Sequence, residues 1–125
     1  MEILEKKLGQ VNVLYPCGRL DAYAASEFGK KLDSFIDAAQ VCVVVNLEKL
    51  EYISSAGLRV LIAALKKARG QQGDMRLACL QPYVKEVFDM TGFTQLFKVF
   101  DKEQDAVNSF KEKDNEGNQN RAIST

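Results

Sequence analysis

Histidine is absent from this 125-residue chain, and that one absence removes several chemistries together. Without an imidazole there is no Ser-His-Asp or Cys-His nucleophile and no His-containing metal site. Net charge is absent too, because 17 Lys and Arg balance 17 Asp and Glu. Bulk electrostatics therefore recruits neither duplex nucleic acid nor an acidic membrane surface, so no nucleic-acid or membrane partner is expected and any partner must be recognised locally. The eight glycines, at 9, 18, 29, 57, 70, 73, 92 and 117, form neither Gly-x-Gly-x-x-Gly nor a loop ending in Gly-Lys-Ser/Thr, so no nucleotide cofactor site is expected. No apolar run approaches the roughly 18 residues of a membrane span, and acidic residues interrupt Met1-Glu2-Ile3-Leu4-Glu5, where a signal peptide would be apolar. Cysteine is scarce. Cys17, Cys42 and Cys79 are odd in number, too far apart for a Cys-x-x-Cys pair, and set in apolar, strand-like runs, which predicts buried free thiols in a reducing, cytoplasmic compartment and no metal site.

What remains, 46% apolar and 27% charged residues, is enough for one compact domain and too little for two. Apolar positions over 4–8 and 11–15, with Gly9-Gln10 between them, predict an opening β-hairpin. Asp21 stands as an N-cap before Phe28, Leu32, Phe35 and Ile36, whose spacing predicts an amphipathic helix of about four turns. The run 41–45 is β-branched apart from Cys42 and predicts a strand covered on both faces, at the sheet centre. Leu58, Leu61, Ile62, Leu65 and Ala68 make the stripe of a second helix, with Lys66, Lys67 and Arg69 in its last turn and Gly70 and Gly73 as its stop. A strand over 75–80 follows, then a short helix from Pro82 to a Gly92 stop and a strand over 97–100. A last helix carries Ala106, Val107 and Phe110, opened by an Asp101/Gln104 capping box. The order predicts an α/β domain over 1–110 with a four- to five-stranded mixed sheet, right-handed crossovers, and about four helices packed chiefly on one side. The polar residues 111–125 carry no apolar period and are expected to form a flexible tail.

Chemistry concentrates between Asn46 and Leu58, after the central strand and at the start of the second helix, where open α/β sheets build their sites. Two serines there can cap free backbone N–H groups. The same helix start, with about half a positive charge and outward N–H donors, also favours a phosphate.

On these residues the chain resembles the STAS family, in particular the bacterial anti-sigma factor antagonists, over residues 1 to about 110. Members carry a strand ending in Asp-Leu, a short loop, and Asp-Ser-Ser/Thr-Gly-Leu opening a helix. Asn46-Leu47 and Ser54-Ser55-Ala56-Gly57-Leu58 stand in those places. The resemblance implies that Ser55 is the serine presented to a kinase, with Ser54 as the alternative acceptor, since Ser54 occupies the usual Asp position and Ala56 the second hydroxyl position. Gly18-Arg19-Leu20-Asp21-Ala22 also resembles a family stretch that lies beside the phosphorylation loop, so Asp21 is read both as an N-cap and as partner surface. Tyr52 flanks the serine as an apolar contact; Ile53 does so or enters the core. Arg59, Lys66 and Lys67 read as a solvated helix face or as the lining of a binding surface. The partner-binding set so implied is Asp21, Asn46, Tyr52, Ile53, Ser54, Ser55, Ala56, Gly57 and Leu58.

The function implied is a phospho-switched binding module. Unphosphorylated, it holds a serine-kinase anti-sigma factor of histidine-kinase-like ATPase fold; phosphorylation releases that partner, and a PP2C-type phosphatase resets the serine. A second form of the same reading is a STAS docking subunit of another signalling or transporter complex. An enzyme with a Ser55 nucleophile is the competing class. It lacks both the Gly-x-Ser-x-Gly elbow and a histidine base.

Overall fold

The computed structural model describes residues 1–111. The expected hairpin forms from β1 (Glu2–Leu8) and β2 (Val11–Leu20), paired antiparallel from Leu8↔Val11 to Glu2↔Cys17. Gly9, at φ +62°, supplies the left-handed conformation of the turn. β2 runs five residues beyond its apolar alternation and feeds α1 (Ala22–Asp37). β3 (Cys42–Asn46) lies at the sheet centre between β2 and β5 (Asp74–Ala78), parallel to both. Val43, Val44 and Val45 are buried, as a strand covered on both faces requires.

Among the described residues the sheet has six strands, in the order β1-β2-β3-β5-β6, where β6 is Val99–Phe100, with β4 (Leu50–Ile53) pairing the far half of β2. The α/β class and the mixed sheet are as the sequence predicts. The strand count exceeds four to five because Leu50-Glu51-Tyr52-Ile53 takes up a parallel partner 32 to 33 residues away, and its own short pattern carries no alternation to announce it. β6 is only Val99–Phe100, preceded by a 3₁₀ turn at Phe93–Gln95.

Helices α1, α2 (Ser55–Gly70) and α3 (Pro82–Thr91) cover one face. Phe28, Leu32, Leu61, Leu65, Val84 and Phe88 meet Leu14, Val43, Val45, Met75 and Leu77 there. At roughly 1.5–3 kcal/mol for each large side chain fully buried, this face carries most of the folding energy. α4 (103–111) covers the opposite face, where Ala106, Val107 and Phe110 meet Val11, Val13, Val44 and Ala78. Three of the four helices among the described residues thus share one side.

Local endings differ from the sequence reading in three places. Gly70 lies inside α2, and the left-handed residue that ends the helix is Gln72 at φ +66°. Gly73 is needed instead for close approach, because a Cβ there would fall 2.3 Å from the Val41 carbonyl oxygen. The Asp101/Gln104 box does not form, because the Ala106 N–H donates to the Lys102 carbonyl at 3.3 Å, which places the N-cap at Lys102, one residue past Asp101. Cys17, Cys42 and Cys79 form no disulfide, and all three are only half-buried, Cys42 and Cys79 at the margin of the cluster under α4. Lys111 is the last helical residue described; the expected tail otherwise lies outside the described residues.

Candidate functional site

The site grows from the paired ends of β2 and β4. A bulge between Gly18, at φ +96°, and Arg19 shifts the register so that Arg19 faces Tyr52 and Leu20 faces Ile53. Leu20 and Ile53 turn into the core. Arg19 and Tyr52 turn the other way, the guanidinium 4.2 Å from the ring centroid. The Ser54 N–H donates to the Leu20 carbonyl at 2.9 Å, which brings the chain to the start of α2 in an extended conformation.

There the two serines divide the work. Ser54 is the N-cap, its Oγ accepting from the Gly57 N–H at 3.1 Å. Ser55 is the first helical residue and is exposed. Ala56 is half-buried. Gly57 lets the first turn of α2 close on the strands, since a Cβ would lie 2.9 Å from Leu20 Cγ and 3.0 Å from Ile53 Cγ1. Leu58 is buried below it. No acidic residue occupies the first turn, so the partial positive charge of the helix start is uncancelled within that turn.

Asp21 caps α1 at the neighbouring strand end, its Oδ1 accepting from the Ala24 N–H at 2.8 Å. Tyr23, in the first turn of α1, is 91% exposed, a solvent-facing aromatic that the helical pattern alone did not single out. Lys67 is drawn to α1 by Asp37 at 2.7 Å and Asp33 at 3.6 Å, so it braces two helices and is no free face residue.

Of the nine residues implied by the sequence, Asp21, Tyr52, Ser54, Ser55 and Ala56 reach the surface. Ile53, Gly57 and Leu58 support the turn from the core. Asn46 is different. It is 2% exposed, its Oδ1 accepting from the Glu48 N–H at 2.9 Å and its Nδ2 donating to Glu103 Oε1 at 3.0 Å. Glu103 also meets Lys6 Nζ at 3.0 Å. Sequence reading missed Glu103, which stands 57 positions from Asn46 and carries no local signal.

A family model of the STAS domain matches residues 3–106. The chain belongs to the STAS domain family. BtrV of Bordetella bronchiseptica, named as a candidate anti-sigma factor antagonist, is 37% identical over 94 residues, covering 75% of this chain and 81% of BtrV. The anti-sigma-B factor antagonist of Listeria monocytogenes is 24% identical over 99 residues, 79% of this chain and 86% of its own. Among solved structures, SpoIIAA of Bacillus in its unphosphorylated form matches with a TM-score of 0.79 at 19% identity, over 89% of this chain and 97% of that one. Its phosphorylated form matches at 0.70 and 19% identity, over 87% and 99%. At such identity the structural likeness establishes the fold alone.

Around Glu103 this STAS domain holds its most perturbed groups. Burial pushes the Glu103 carboxyl up, but hydrogen bonds from Tyr15, Lys6 and Asn46 together with the Lys6 charge outweigh it and hold the group below the usual carboxylate range. The Tyr15 and Glu103 hydrogen bonds raise Lys6 to about 12. Burial, then Glu103, raises the Tyr15 phenol. Burial likewise pushes the Cys79 thiol up, which disfavours a reactive thiolate. Among the described residues no helix is long and apolar enough to cross a membrane.

Proposed function

We propose that this STAS domain is an anti-sigma factor antagonist, with Ser55 as the phosphate acceptor of a partner switch. The observation that carries the reading is the division of labour at the α2 start. Ser54 Oγ is engaged as the cap, so the exposed Ser55 hydroxyl can be modified without removing that hydrogen bond. Unphosphorylated, the domain engages a serine-kinase anti-sigma factor of histidine-kinase-like ATPase fold through Asp21, Tyr52, Ser54, Ser55 and Ala56. Phosphate adds about −1.5 to −2 charge, and an interface complementary to a neutral serine loop, close to the kinase's own nucleotide phosphates, repels it. A PP2C-type phosphatase resets the module. The relatives named as anti-sigma factor antagonists support this reading, and the lack of any histidine base favours an acceptor serine over a nucleophile. The test is phosphorylation by the cognate kinase with ATP, comparing Ser54→Ala with Ser55→Ala. Labelling lost only in Ser55→Ala supports the assignment; labelling lost only in Ser54→Ala moves the acceptor back by one residue.

A further inference from the structure

One carboxylate, at the start of α4, is shared by two strands of the sheet. Glu103 takes Lys6 from β1 at 3.0 Å and the Asn46 amide from β3 at 3.0 Å. Asn46 spends its other side-chain atom on the Glu48 N–H at 2.9 Å. The segment that follows is tied in sequence. The Leu50 N–H donates to Leu47 O at 3.1 Å, the Gly18 N–H donates to Lys49 O at 2.8 Å, and Gln81 donates its amide to Glu48 O. β4 then runs four residues to Ser54. Hydrogen bonds at Asn46, Glu48, Lys49 and Leu50, joined through the backbone between them, and one short strand thus link α4 to the serine turn.

The choice of Asn at position 46 belongs to this arrangement. An amide can donate to Glu103 and accept from Glu48 at once, whereas an Asp would accept from Glu48 while facing Glu103 with a second negative charge.

We propose that Glu103 is a positioning residue for the Ser55 site, acting through Asn46 on the turn that launches β4, so that the docking of α4 sets how the serine is presented. The functional half of this inference rests on Ser55 being the phosphate acceptor; the coupling itself does not.

The experiment is a cycle of Asn46→Asp, Glu103→Gln and the double variant, read in two ways on the full chain. The first reading is amide hydrogen exchange of the free protein. Asn46→Asp should speed exchange at Glu48 and across β4 roughly fivefold, the factor that one net hydrogen bond represents, with the α1 and α2 core amides unchanged. Glu103→Gln keeps an acceptor for Asn46 and should have a smaller effect. The double variant should return β4 towards wild type, because the introduced glutamine amide can donate to the introduced carboxylate. Such a sign reversal is incompatible with independent sites. The second reading is phosphate transfer from labelled ATP in clarified lysate of the native host, with the concentration of the domain varied. Asn46→Asp should raise the half-saturating concentration by about the same factor and leave the maximal rate unchanged.

Additive effects in the double variant, or exchange rising uniformly over the domain, would overturn the positioning role and leave Glu103 as an ordinary stabilising residue. Should Asn46→Asp fail to fold, Lys6→Met replaces it, since it frees Glu103 from β1 alone. Its β4 exchange should move less than that of Glu103→Ala, and equal or greater movement counts against the path through Asn46. If wild type takes no label on Ser55, the functional reading fails while the exchange cycle still decides the coupling.

Discussion

At the scale of single residues, adjacent serines with the same side chain carry different energies because one is N-cap and the other the first helical residue. Ser54→Ala removes the acceptor for the Gly57 N–H and should cost about 0.5–2 kcal/mol. Ser55→Ala touches an exposed position and should stay within about 0.5 kcal/mol of wild type. Urea denaturation of the two variants checks this, and equal losses would mean that the cap is shared. Gly57→Ala forces a methyl against Leu20 and Ile53 at 2.9–3.0 Å and should cost about 1–3 kcal/mol. Glu103 gives the pH signature. Its folded pKa lies below the unfolded one, so its contribution is present above the unfolded carboxylate range and is lost as pH falls through the folded value. Wild type should therefore lose stability on acidification below the usual carboxylate pKa more steeply than Glu103→Gln; parallel acid profiles would show that the carboxylate is not the group responsible.

At the scale of elements, legibility followed the range of the interaction. α1 and α2 announced themselves because Phe28, Leu32 and Ile36, and Leu58, Leu61 and Leu65, are local repeats that the fold buries. Gly92 was legible as the stop of α3 and adopts φ +76°. β4 was not legible, since what makes it a strand is β2. Nor was the polar anchoring of α4, which joins residues far apart in sequence at both ends of the helix. Beyond Glu103 at its start, Arg76 on β5 is 2% exposed. It donates to Asp74 at 3.0 Å and to Ser109 at 2.6 Å, with its guanidinium 4.0 Å from the Phe110 ring centroid. Arg76→Met keeps the aliphatic stem but removes all three contacts. Asp74 retains Arg69 at 3.0 Å, so the loss should fall near 3 kcal/mol, the low end for breaking a buried pair. Exchange protection should fall first in α4. A loss spread evenly over α1 and α2 would show that α4 is not the element Arg76 holds.

At the scale of the whole molecule, the parallel strands β2 and β4 end side by side and launch α1 and α2 from one edge. Asp21 and Ser54 both cap there, and the core packs beneath through Leu20, Ile53 and Leu58. Because the capping and packing use neighbours of Ser55 and not Ser55 itself, a charge added at that residue should change recognition without changing the fold. Ser55→Asp should keep the wild-type melting temperature to within a few degrees, the shift that about 0.5 kcal/mol produces in a domain of this size. If the proposed partner switch holds, its affinity for the kinase-type anti-sigma factor of that proposal should fall but not vanish, since one carboxylate has about half the charge of a phosphate and fewer acceptor oxygens. Ser55→Ala should bind at wild-type strength and stay bound when ATP is supplied. Isothermal titration of the three proteins against the partner, with and without ATP, separates the effects. Equal affinities for Ser55→Asp and Ser55→Ala would show that charge at this residue does not govern the interface. A large loss in Ser55→Ala would show instead that the hydroxyl itself is a binding contact.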